Sequence, residues 1–107
     1  MPDYSVTQTR DRLGRDDVVV VDVREAHEVA AAHVPGMVHI PMSEIQGRLD
    51  EIPTGVEVIL FCRSGNRSGQ VADYMTGIGD WGEVINCAGG ILAWHAEGLP
   101  YEGDTPT

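Results

Sequence analysis

One short segment combines a thiol with two positive charges, as Cys62, Arg63, Ser64, Gly65, Asn66, Arg67 and Ser68 follow one another directly. A cysteine is a good nucleophile as the thiolate, and two guanidinium groups and the N-terminus of a following helix would each favour that anion. Ser64 and Gly65 are small enough to let the backbone curl, so that successive N–H groups converge on the sulfur. We therefore predict that Cys62 is a catalytic thiolate and that residues 63–68 bind an anionic substrate.

A second interpretation of the same cysteine is purely structural. A cysteine that ends a buried strand is commonly an unreactive, small apolar side chain. Ser, Gly and Asn are common in turns that have no catalytic role. The arginines on both sides, the glycine between them and the helical pattern that follows all favour the reactive thiol.

The segments around this loop predict the elements that hold it. Residues 56–61 are a buried-strand pattern ending at Cys62, and residues 66–78 place Val71, Tyr74, Met75 and Ile78 at helical spacing. The valines at 18–21 predict a second buried parallel strand. Shorter strands are expected at 37–40 and 83–86, and helices at 7–13, 25–33, 43–52 and 91–97. Ser43 and Gln46 are expected to form a capping box at the start of the helix at 43–52.

Strands that alternate with helices predict an α/β fold with a mainly parallel sheet of four or five strands and helices on both faces. Ligands in such folds bind beyond the carboxyl ends of the strands, which is where Cys62 falls. The 107 residues are expected to form one domain, 1–107, in which residues 99–107 are a loose C-terminal tail.

Composition excludes several classes of partner. Seven arginines against seventeen acidic residues give a net charge of −10, which repels polyphosphate, so we expect no nucleic acid to bind. The N-terminal residues lack a basic segment and an apolar core, and no apolar run reaches the roughly 20 residues that span a bilayer. Cys62 and Cys87 form no disulfide framework and no metal pattern. We expect a cytoplasmic protein with no membrane partner and no metal.

Three further segments bear on the identity of the loop. Asp22-Val23-Arg24 is followed by Glu28, the run His-Val-Pro-Gly-Met-Val-His-Ile-Pro occupies 33–41, and Gly-Gly-Ile-Leu-Ala-Trp occupies 89–94. With the 62–68 loop, these four motifs lie in the order typical of the rhodanese family, so the chain resembles a single-domain rhodanese over nearly its whole length.

The resemblance implies a two-step sulfur transfer. Cys62 would take a sulfane sulfur from thiosulfate or a persulfide donor, become a persulfide, and pass the sulfur to a thiophilic acceptor such as cyanide or a thiol. Arg63 and Arg67 would bind the anionic donor, and the amides from Ser64 to Ser68 would stabilise charge on the persulfide. The resemblance implies no cofactor, and a thioredoxin-like or other sulfur-acceptor protein could be the partner.

Two alternative functions stay open. A cysteine phosphatase or arsenate reductase also has a thiolate in an arginine-closed loop, but it separates the cysteine from the arginine by five residues, where this chain has four. A rhodanese-like module could also be non-catalytic and serve in binding or regulation, although Cys62 and both arginines are present.

The remaining polar candidates are assigned supporting roles. Asp22 and Arg24 are expected to form a structural pair at a strand end, and His33 and His39 to be hydrogen-bonded scaffold residues. Cys87 either approaches Cys62 as a resolving thiol or is buried and inert.

Overall fold

A five-stranded parallel sheet forms the centre of the computed structural model, which describes residues 3–107. Its strand order is β1-β6-β5-β2-β4, and a separate antiparallel pair, β3-β7, lies outside it. The strands are β1 (Asp3–Tyr4), β2 (Val18–Asp22), β3 (Ala32–His33), β4 (Val38–His39), β5 (Glu57–Phe61), β6 (Glu83–Cys87) and β7 (Glu102–Gly103). The α/β class with a parallel sheet is confirmed.

Helices cover both faces of this sheet. They are α1 (Val6–Arg12), α2 (Ala26–Ala31), α3 (Asn66–Ile78), α4 (Gly90–Ala96) and two 3₁₀ helices, Met42–Gly47 and Leu49–Glu51. Side chains of successive β5 residues lie on opposite faces of the sheet. Leu60 packs with α3 and the 3₁₀ helices, whereas Phe61 packs with α1 and α4. Each face therefore has its own hydrophobic core.

Two of the expected helices take a different form. The α-helix expected at 43–52 is wrong, because Ser43 does not cap it: the Ser43 hydroxyl donates to the Glu25 carboxylate (2.7 Å), and the segment winds as two 3₁₀ helices. The helix expected at 25–33 stops at Ala31, since residues 32–33 pair with residues 102–103 as an antiparallel ladder.

The C-terminal segment expected to be a loose tail is attached to the domain. The Trp94 indole donates to the Pro100 carbonyl (2.8 Å), and the Asp104 amide donates to the Ala31 carbonyl (2.7 Å). Together with β7, these bonds hold the chain after α4 against the end of α2.

No helix within residues 3–107 is long and apolar enough to cross a membrane.

The helix α3 has the predicted bounds, and Val71 and Met75 of its predicted apolar face are buried. Tyr74 and Ile78, expected to face inward, are each 40% exposed. The buried residues are Ser68, Val71, Ala72 and Met75, which follow the i, i+3, i+4, i+7 spacing of one helix face. This stripe brings Ser68, the last residue of the predicted loop, into the protein interior.

The start of α4 makes a close contact with the loop. The Ile91 and Leu92 amides donate to the carbonyls of Cys62 and Arg63 (3.0 and 3.1 Å). Gly90 has a φ of +54°, and a side chain there would overlap both of these carbonyl oxygens. Only glycine fits this position without displacing the backbone of the loop.

We expect Gly90→Ala to lower the free energy of unfolding by about 3 kcal/mol or more, because it combines a strained φ with an overlap against backbone. Gly77→Ala is the matched control: Gly77 lies in α3 with open space around it, and alanine there should add roughly 0.5 to 1 kcal/mol. Urea denaturation of both variants measures the difference. Equal stability of the two variants would contradict the close contact.

Candidate active site

Cys62 follows the last residue of β5, at the carboxyl end of the central sheet. It is 1% exposed and belongs to the core that includes α3. Its Sγ accepts a hydrogen bond from the Gly65 amide (3.1 Å). Because the Arg63 carbonyl points toward α4, the Ser64 amide of the same peptide group points to the opposite side, where it acts on the sulfur.

The surroundings of the sulfur favour its anion. Burial raises the pKa of the Cys62 thiol, but hydrogen bonds from the Ser68 hydroxyl and from the amides of Ser68, Gly65 and Ser64 outweigh this, so the pKa lies below its usual value. The Ser68 hydroxyl lies 3.2 Å from Sγ. The curled backbone expected around the cysteine is present in the structure.

Arg67 forms an ion pair with Glu28. Its two terminal nitrogens each donate to a Glu28 oxygen at 2.7 Å, forming a bidentate pair between α3 and α2. The Arg67 hydrogen bonds, opposed by partial burial, lower the pKa of Glu28 to about 2. The pair joins the loop to α2, and substrate binding by Arg67 stays a prediction.

Arg63 is exposed at the mouth of the site. Its Nε donates to the Thr107 carbonyl oxygen (2.7 Å), and it lines a cleft of about 200 Å³ with Arg24, His27 and Glu28. Ser64 and Asn66 are also exposed. Of the two loop arginines, Arg63 is the one that borders open space.

Asp22 and Arg24 form a buried ion pair at the end of β2. The Arg24 Nη2 lies 2.9 Å from the Asp22 carboxylate and also donates to the Ala32 carbonyl (2.8 Å). The pair therefore ties the strand to the segment after α2. His39 Nε2 donates a hydrogen bond to the Arg24 carbonyl (2.7 Å), which places it in the scaffold.

Asn86 is a site residue that the sequence analysis missed. It lies on β6 beside Leu60, on the same face of the sheet as Cys62. Its Nδ2 donates to the Gly65 carbonyl (3.0 Å), and its Oδ1 accepts from the Ser68 hydroxyl (2.6 Å). The available signal was an amide inside an otherwise apolar strand, since such a group needs buried partners.

Known proteins of similar sequence identify the family of this chain. The family model for the rhodanese-like domain matches residues 5–97. The chain belongs to the rhodanese-like domain family. A sulfurtransferase of Allochromatium vinosum is 42% identical over 79% of this chain and 78% of its own length. Thiosulfate sulfurtransferase GlpE of Pseudoalteromonas translucida is 30% identical over 86% of this chain and 87% of its own.

A solved structure of similar fold is the rhodanese-related protein of Thermoplasma volcanium. It is 22% identical, has a TM-score of 0.85, and the match covers 97% of this chain and 100% of that one. The resemblance inferred from the four motifs is therefore confirmed for both the family and the fold.

The second cysteine of this rhodanese-like domain lies across the sheet from the first. Cys87 is fully buried in the core formed with α1 and α4, whereas Cys62 belongs to the core that includes α3. Burial, only partly opposed by a hydrogen bond from Thr9, raises the pKa of the Cys87 thiol to about 11. In this structure Cys87 is a buried thiol and not a resolving partner for Cys62. Within residues 3–107, no group of three or more His, Cys, Asp or Glu could hold a metal ion.

We expect Glu28→Gln to lower the free energy of unfolding by about 1 to 2 kcal/mol at neutral pH, because the paired carboxylate is partly buried. The folded-state pKa of about 2 lies below the ordinary 4.5, so the carboxylate stabilises the fold above the latter value and loses its effect as pH falls toward the former. The difference between wild type and variant should shrink over that acid range. Glu44→Gln, at an exposed pair with Arg48, is the control and should cost less than about 0.5 kcal/mol. A pH-independent difference would contradict the assignment.

The two thiols are expected to differ sharply in reactivity. Iodoacetamide near neutral pH should label Cys62 and leave Cys87 unmodified until the protein unfolds, because the pKa of the Cys62 thiol is lowered whereas the Cys87 thiol stays protonated. Peptide mapping of native and denatured samples measures this. Cys87→Ala should keep the native label, and Cys62→Ser should remove it. Comparable labelling of both thiols in the native protein would contradict the structure.

Proposed function

We propose that this rhodanese-like domain is a sulfurtransferase that carries a sulfane sulfur on Cys62. The observation that carries the proposal is the Cys62 sulfur accepting the Gly65 amide in a loop at the carboxyl end of β5. Two relatives support it: one is named sulfurtransferase and the other thiosulfate sulfurtransferase. The proposed donor is thiosulfate or a persulfide, and the proposed acceptor is cyanide or a thiol.

The transfer proceeds as two displacements at sulfur. The Cys62 thiolate attacks the outer sulfur of thiosulfate, the S–S bond of the donor breaks, and sulfite leaves with the bonding electron pair. The persulfide on Cys62 then carries the negative charge on its outer sulfur. A nucleophilic acceptor attacks that sulfur, and the electron pair of the persulfide bond returns to Cys62 as the thiolate. The two steps balance without an added oxidant or cofactor.

Backbone amides provide the main stabilisation of charge in this scheme. The amides of Ser64, Gly65 and Ser68 already favour the thiolate, and preorganised N–H groups of this kind also stabilise the negative charge that returns to Cys62. Because they are held in place before reaction, they need no rearrangement as the charge develops.

We assign different roles to the two loop arginines. Arg63 borders the cleft beside the loop, so we assign it to the anionic end of the donor. Arg67 acts at longer range: its charge favours the Cys62 thiolate, while its bonds to Glu28 fix the first turn of α3. Only two of the five N–H donors of Arg67 bond to Glu28, so the others can still reach an anionic donor while that pair stays in place.

Sulfur loading is tested by mass spectrometry after thiosulfate treatment. We expect one added sulfur atom on the peptide that contains Cys62, and its loss as thiocyanate when cyanide is added. Cys87→Ala should load sulfur like the wild type, and Cys62→Ser should neither load sulfur nor produce thiocyanate. Thiocyanate production by Cys62→Ser, or an unchanged peptide mass in the wild type, would reject the proposal; the second result would favour a binding module or a phosphatase.

A further inference from the structure

The Ser68 hydroxyl lies between two groups that can both accept its proton. Its Oγ is 3.2 Å from the Cys62 sulfur and 2.6 Å from the Asn86 Oδ1. A serine hydroxyl has one proton and can donate it to one of them at a time. The two contacts are therefore alternatives.

The orientation of the Asn86 amide is determined by its other contact. Asn86 Nδ2 lies 3.0 Å from the Gly65 carbonyl oxygen, which can only accept a hydrogen bond. Reversing the amide would place two acceptor oxygens against each other. Oδ1 therefore faces Ser68, and because Oδ1 has no proton, the short contact between the two oxygens needs the proton of Ser68.

The position of that proton depends on the state of the sulfur. When the sulfur is a neutral thiol, Ser68 donates to Asn86 and the thiol can donate to the free lone pair of Ser68. When the sulfur is a thiolate, it needs a donor, and turning the Ser68 proton toward it leaves two unprotonated oxygen faces in close contact. Burial of Ser68 and Asn86 excludes bulk water as a substitute.

We propose that Asn86 is a positioning residue that sets the reactivity of Cys62 by competing with its thiolate for the Ser68 proton, while its amide group anchors the Gly65 carbonyl. The inner sulfur of a persulfide is neutral and needs no donor. Asn86 therefore favours the sulfur-loaded form over the free thiolate, a consequence that rests on the proposed function, whereas the competition for the proton does not.

Other charges also act on the sulfur, and they are the same in every variant of the test. Arg67 acts from the start of α3, and Cys87, at the end of β6, is titratable but stays protonated near neutral pH. Glu28, on α2, pairs with Arg67, and Arg63 is the other charged residue of the loop. Their contributions cancel when variants of Asn86 and Ser68 are compared.

A double-mutant cycle separates the competition from the anchoring of Gly65. Asn86→Leu keeps the branching of the side chain at Cγ, with a larger volume, and removes both hydrogen bonds. Ser68→Ala removes the proton for which the two acceptors compete. The rate of iodoacetamide alkylation against pH reports the thiolate. Asn86→Leu should increase the rate, at a fixed pH below the apparent pKa, roughly three- to ten-fold more when Ser68 is present than when residue 68 is alanine. An equal effect in both backgrounds would overturn the proposal.

Asn86→Asp provides a second test should the leucine variant not fold. The carboxylate keeps the shape of the amide, loses the donor to the Gly65 carbonyl in both backgrounds, and is the stronger acceptor for the Ser68 proton, so the apparent pKa of Cys62 should rise. The rise should be larger with Ser68 present than in the Ser68→Ala background. Equal rises would show that only the added charge acts, and the proposal would be wrong.

The preference for the sulfur-loaded form of Cys62 has a test of its own. If Cys62 accepts sulfur from thiosulfate, single-turnover release of that sulfur to cyanide should be faster in Asn86→Leu than in the wild type. In the variant, Ser68 can donate its proton to the departing thiolate without a competing acceptor. A slower or unchanged release, with the alkylation cycle as expected, would reject only the preference for the loaded form. Failure of the wild type to load sulfur would reject the proposed function and leave the alkylation result valid.

Discussion

The active-site loop depends on two hydrogen bonds made by its carbonyl groups. The first-turn amides of α4 hold the Cys62 and Arg63 carbonyls on one side of the loop. Since the carbonyl and the amide of one peptide group point in opposite directions, the bond to the Arg63 carbonyl directs the Ser64 amide to the other side, toward the sulfur. The requirement for glycine at residue 90 follows from the same contact, because any side chain there would push α4 away from the loop.

Backbone amides, more than side-chain cations, make this site suitable for an anion in a protein of net charge −10. The charge of Arg67 is largely balanced by its bidentate contact with Glu28, and Arg63 is exposed to solvent, which screens it. The amides of Gly65 and Ser68 lie at the buried sulfur itself. A site built from backbone dipoles can therefore favour a thiolate or a persulfide without changing the acidic character of the rest of the surface.

The sequence was a good guide wherever the structural signal is local. Apolar runs ending at a polar loop located β2, β5 and β6, and helical periodicity located α3 with its observed bounds. It was a poor guide where partners are distant: Ala32 pairs with Gly103, and Ser43 bonds to Glu25 in place of capping a helix. The two-residue strand β1 was missed for the same reason, because only its alignment with Asn86 and Cys87 makes it a strand.

By itself, the sequence determined the candidate nucleophile, the loop around it, the family and the order of the main strands and helices, because these depend on residue types and short spacings. Only the tertiary structure decided that Arg67 binds Glu28, that Asn86 reaches Ser68, and that the two cysteines lie on opposite faces of the sheet. The physical reason is strand register: residues alternate between the two faces, so a side chain meets its partner only when neighbouring strands are aligned. Hydrogen bonds between α2, α3 and β6 join positions far apart in the chain, and the residue types alone do not reveal which positions meet.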